Sequence, residues 1–174
     1  MMLKSHLTFA AFSACMLAAG GSFAQAPNLD AVPDKMPFDI PYGAPISLEK
    51  AEAVLHAALG ESAKRGWKMN CAVYDSGANL VVFKRMDGAQ LASIAIAEHK
   101  ARVAVKARRE TRAIEDGVQK ANLIYLTTLD DFIASRGGIP LVEGGKIIGS
   151  IGCSGGTGSQ DEVVAKAGVA AVTK

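Results

Sequence analysis

The stretch from Gly137 to Lys174, GGIPLVEGGKIIGSIGCSGGTGSQDEVVAKAGVAAVTK, constrains the fold more than any other part of the chain. Two apolar runs, Ile139 to Val142 and Lys146 to Cys153, flank Glu143-Gly144-Gly145. Glycines accept positive φ, so the chain reverses there as a tight hairpin. Gly149 and Gly152 interrupt the second run, removing side chains where a strand normally packs them. Such spacing calls for close approach by another backbone, a helix or a ligand. A glycine-rich turn, Ser154 to Gly158, then leads into a helix. Ser159 and Glu162 read as its S-x-x-E capping box, and Ala165, Val169 and Val172 as its apolar face.

Ser47 reads as the cap of a first helix whose Leu48, Ala51, Leu55, Ala58, Leu59 and Ser62 share a face and which ends near Gly66; His56 falls at the margin. Lys68 to Tyr74 and Asn79 to Lys84 are β-rich runs joined by the turn composition Asp75-Ser76-Gly77-Ala78. A second helix follows from about Ala89 to Ala107. At 100° per residue, Ser93, Ile96, Ala97, Val103, Ala104 and Ala107 cluster around Lys100, with His99 at the edge of the same face. A lysine in the middle of an apolar face must snorkel, find a carboxylate or carbonyl partner, or line a cavity. Thr111 to Ala121 reads as a short helix, and Leu123 to Ser135 as a short strand, LIYLTT, followed by a loop. Strands arriving as hairpins around a helical block imply an α/β fold with a mainly antiparallel five-stranded sheet flanked by helices.

The first 26 residues read as a secretory signal peptide: Lys4, an apolar run from Leu7 to Ala19, then Ala24-Gln25-Ala26 as an A-x-A cleavage pattern. The expected location is therefore periplasmic or secreted, with no stable membrane insertion after cleavage. Residues 27–45 form a leader punctuated by Pro27, Pro33, Pro37, Pro41 and Pro45, which forbid a continuous helix. Its later part, MPFDIPYGAP, is apolar enough to lie against the domain of residues 46–174 or a neighbouring subunit. Without Lys4 the balance is 18 basic residues against 17 acidic. That near-neutrality argues against a nucleic-acid partner. There is no P-loop, HExxH, CxxC or G-x-S-x-G motif. Gly155, Gly156 and Gly158 before a capped helix can cradle an anion or merely turn the chain.

The segment GGIPLVEGGKIIGSIGCSGGTGSQDEVVAKAG resembles the C-terminal signature of the haem-binding GlcG/HbpS-like family, related to the C-terminal domain of PduO-type proteins. AVYDSGANLVVFKRMDGAQLASIAIAEHKA and YGAPISLEKAEAV fit the same family in the same order. The resemblance implies a profilin-like fold and homo-oligomeric assembly. It also implies that the strands of Cys71 and Cys153 are neighbours, which allows a cross-strand disulfide; two buried thiols are the alternative. Above all it implies haem, to be sequestered or sensed, with weak haem-dependent redox or degradation activity as a further expectation. His99 is then the candidate axial and metal ligand, Ile96 and Val103 candidate walls, and Lys100 and Arg85 candidate cations for the propionates. Two other readings stand beside it. Relatives associated with glycolate use suggest an accessory or enzyme acting on a small hydroxy acid, whose carboxylate would meet Lys100 and Arg85 beside the glycine-rich loop. A ligand-free oligomeric scaffold is the third.

Overall fold

A computed structural model describes residues 31–172; the expected signal peptide lies outside them. Four helices and four strands follow one another as α1 (Leu48–Lys64), β1 (Asn70–Asp75), β2 (Leu80–Arg85), α2 (Ala92–Lys106), α3 (Thr111–Lys120), β3 (Gly138–Glu143), β4 (Lys146–Ser154) and α4 (Gly158–Val169). The sheet order is β2-β1-β4-β3, and every pairing is antiparallel. The expected fifth strand does not form. Ile124–Thr128 winds instead into a 3₁₀ turn, in which the hydroxyls of Thr127 and Thr128 donate to the carbonyls of Ile124 and Tyr125. Such local bonds offer the backbone an alternative to a ladder, and β-propensity alone does not outweigh them.

Period-two alternation divides the sheet into two faces. Cys71, Val73, Ile151 and Cys153 look toward α1 and α4, where Val54, Leu55, Ala58, Val164 and Ala165 complete the main core. Ala72 and Tyr74 look toward α2 and meet Ala101. On this side the layers approach through glycine. A Cβ on Gly152 would lie 2.2 Å from the Ala97 carbonyl oxygen, and one on Gly138 at the same distance from that of Lys100. The close neighbour implied by the glycine spacing at Gly152 is therefore the backbone of α2.

Local signals explain most element ends. Ser47 caps α1 by accepting from the Lys50 amide at 3.3 Å. Its buried stripe runs through Ala51, Val54, Leu55, Ala58 and Ser62, while Leu48 is left exposed at the helix mouth. The Asp75 carboxylate accepts the amides of Gly77 and Asn79, closing the β1–β2 turn. The capping box of α4 is Thr157 with Gln160, two residues before the expected Ser159 and Glu162. Both pairs satisfy the motif; Glu162 is engaged instead by Arg112 at 3.0 Å. The later leader lies against the domain. Pro41 and Gly43 bond Ile147, and Ile46 bonds Ile148, where β1 has already ended alongside β4.

Candidate functional site

Lys100 is 1% exposed, and its ammonium donates to Asp161 Oδ2 at 2.7 Å and to the Cys153 carbonyl at 3.4 Å. Asp161 Oδ1 accepts the Gly156 amide at 3.1 Å. The first turn of α4 thus carries its own anion, and the glycine-rich loop that reads as a possible anion cradle is occupied by it. Burial pushes the Asp161 carboxyl above its ordinary value, against the pull of Lys100 and the loop amides. Both charges are sealed between α2, β4 and α4, so a substrate carboxylate has no route to Lys100 in this conformation. Of the partners open to a central lysine, the fold supplies a carboxylate and a carbonyl.

The remaining expected site residues fall in separate places. Val103 is 1% exposed and packs with Ile114 and Leu126. Ile96 is half-buried on α2. His99 is half-buried, and its Nε2 is 3.4 Å from Asp131 Oδ1, close enough for an ion pair but without hydrogen-bond geometry. That nitrogen is shielded from solvent and unpartnered. Asp131 is taken by Arg102 at 3.2 Å and by Lys106. Their hydrogen bonds outweigh burial and hold its carboxyl below the usual range. Arg102 and Lys106 are thus both committed to Asp131.

Arg85 stands at the end of β2, beyond the reach of this group. It lines an open groove of about 540 Å³ with Trp67, Lys68, Met86 and Asp87. Trp67 and Lys68 also line an adjoining hollow of about 320 Å³ that runs to Gln90, Gly155 and Gln160. Arg65 stacks over the Trp67 ring at 5.0 Å. A single indole, a thioether and flanking cations suit a flat, mostly apolar anion. Trp67 and Lys68 do not stand out as site residues in the sequence, because each joins the groove only when the β2–α2 connection folds back over the end of α1. The chain's sole tryptophan, set beside basic residues, is the available signal.

Cys71 and Cys153 face each other in register and form a disulfide with Cα atoms 4.2 Å apart. Both are fully buried, so the bridge fastens the two central strands from inside the core.

The match to known proteins is broad. A family model described as "Haem degrading protein HbpS-like" covers residues 46–170. Protein GlcG of Escherichia coli strain K12 is 37% identical over 109 residues, 63% of this chain and 81% of that one. An uncharacterized 15.0 kDa protein from the dhaT-dhaS intergenic region of Citrobacter freundii is 33% identical over 126 residues, 71% of this chain and 89% of its own. Among solved structures, HbpS aligns with a TM-score of 0.69 at 29% identity, covering 78% of this chain and 96% of that one. The PduOC:Heme complex aligns with a TM-score of 0.67 at 26% identity, covering 74% and 96%. With the family model spanning the sheet and its four helices, the chain belongs to the HbpS-like family.

Proposed function

We propose that this protein is exported and binds haem. The observation that carries the reading is the likeness to a heme complex across 96% of that relative's chain, together with the family description. Export is supported by the A-x-A pattern and by a core disulfide, which oxidising compartments permit. No helix among the described residues is long and apolar enough to cross a membrane. Homo-oligomeric assembly is part of the same reading, with Ile124, Tyr125 and Leu129, exposed within one short segment, as its available apolar contacts.

Haem requires an axial donor, apolar walls and cations for its propionates. His99 offers the first, since its Nε2 lacks a hydrogen-bond partner and stands beside Arg102 and Lys106; that nitrogen is shielded from solvent, so haem would reach it only once Asp131 and its loop move aside. Bound there, haem would draw those cations from Asp131. A second seat is favoured by the volume and charge of the Trp67 groove, where Met86 supplies a soft donor and Lys68 and Arg85 the cations. The bound iron would supply redox chemistry; the chain's part is to hold and orient the macrocycle. The hydroxy-acid reading loses Lys100, which Asp161 engages, and keeps Arg85 as its remaining cation.

Haemin titration followed in the Soret region tests the proposal. A saturable band that shifts or disappears in His99→Ala assigns the imidazole. A band altered instead by Met86→Ala and Trp67→Ala assigns the groove. Absence of saturable binding by the unmodified protein overturns the haem reading.

A further inference from the structure

At the far end of α2 the helix stops with Arg108 in the left-handed region, φ +52°, a position that favours glycine. The chain keeps a large cationic side chain there and another immediately after it. Arg108 reaches the Ile40 carbonyl at 3.5 Å and the exposed Asp39 carboxylate at 3.7 Å. Arg109 has no carboxylate partner among the described residues. Its guanidinium stacks on Phe38 at 3.9 Å and lies 5.9 Å from the Phe132 ring, with Nε shielded from solvent and unbonded. Burial pulls its pKa down, and the opposing influence of Tyr125 is too weak to offset it.

Both arginines open onto a pocket of about 280 Å³ walled by Ile40, Ile139, Pro140, Val142 and Val169. Glu110 stands at the same pocket and offsets one of the two positive charges. Ligand pockets begin at about 300 Å³, so this one suits a small guest. A half-buried guanidinium that already spends its face on an aromatic ring has its terminal N–H groups left for a carboxylate. Inorganic anions would leave the aliphatic walls wet, and a neutral apolar molecule would leave the charge unanswered.

We propose that this pocket is a binding site for a small apolar monocarboxylate, its carboxylate on Arg109 and its hydrocarbon portion against Ile139, Val142 and Val169. The pocket shares no lining residue with the Trp67 groove, and the site does not depend on haem.

Hexanoate, benzoate, acetate and hexanamide titrated calorimetrically into the haem-free protein test it. Saturable binding of hexanoate or benzoate is expected, with acetate and hexanamide weaker by about tenfold or more, the cost of losing burial or a charged hydrogen bond. Arg109→Gln should weaken hexanoate by a similar factor. Val142→Trp, on the edge strand, fills the pocket without removing the cation and should block hexanoate independently. No saturable binding of hexanoate or benzoate to the unmodified protein overturns the proposal. So does acetate binding as tightly as hexanoate, which would reduce Arg109 to a surface cation, or hexanoate binding unchanged in a folded Arg109→Gln protein.

Discussion

An ammonium 2.7 Å from a carboxylate, with both side chains no more than 3% exposed, is held by geometry rather than by solvent. Removing one partner strands the other charge in the core. Lys100→Met is therefore expected to cost about 3–5 kcal/mol in urea unfolding. The double variant Lys100→Met with Asp161→Leu should recover much of that loss, because a matched apolar pair carries no desolvated charge. A double variant as unstable as the single one would show that the loss comes from packing. Lys100 is legible in the sequence as a charge at the centre of an apolar face. Asp161 is not legible as its partner, because the two meet only across α2, β4 and α4, 61 residues apart. His99 is legible as an imidazole at the edge of that face, but Asp131 sits in a loop whose course no periodicity encodes.

At the scale of elements, α3 and α4 are clamped by charge around Arg136, which bonds Glu115 at 2.7 Å and approaches Glu162 at 3.6 Å. Burial raises both carboxyls, but the arginine and lysine contacts win and leave them below their ordinary value of 4.5. A lowered folded pKa stabilises above the unfolded value and is lost as pH falls through the folded one. Stability is thus expected to drop below about pH 4.5, and the drop should be shallower in Arg136→Gln. Asp161 acts with the opposite sign: its raised pKa costs stability as pH rises above its ordinary 3.8. An acid limb equally steep in the variant would remove the clamp from the account.

The same scale shows what glycine does. Gly152→Ala would drive a Cβ into the α2 backbone and should cost about 3 kcal/mol. Gly60→Ala in α1 meets nothing within 4 Å and should stabilise by about 0.5–1 kcal/mol. Comparable melting shifts for both would contradict the close approach of α2 to β4. The β3–β4 hairpin and the glycine contact are readable because turn residues and strand spacing act locally. The 3₁₀ turn at Ile124–Thr128 reads as a strand because Leu, Ile, Tyr and Thr suit both, and only the absence of a ladder partner in the sheet decides between them.

Across the whole molecule two fastenings join parts remote in sequence. The Cys71–Cys153 disulfide spans 82 residues, and chain-entropy reasoning assigns such a loop about 4.5 kcal/mol. Cys71→Ala with Cys153→Ala should lower the unfolding free energy by about that amount while preserving the fold. The leader is the second fastening. Proline spacing makes its extended form legible, though not the strand it accompanies, because that depends on β1 ending before β4. Pro41, Gly43 and Ile46 exchange three backbone hydrogen bonds with β4, and the Tyr42 hydroxyl donates to the Val105 carbonyl at 3.0 Å. At about 1 kcal/mol for each bond, a chain starting at Ser47 should lose roughly 3–4 kcal/mol in hydrogen bonds and about 2 kcal/mol more with the buried Ile46 side chain, yet keep its sheet. It would also lose Phe38 and Ile40, one the platform under Arg109 and the other a wall of its pocket. Hexanoate binding should therefore fall with the leader while haemin binding at the Trp67 groove persists. Hexanoate binding that survives the truncation would move the carboxylate site away from Arg109, and a chain that melts no earlier would show that the leader rides on the domain without bracing it.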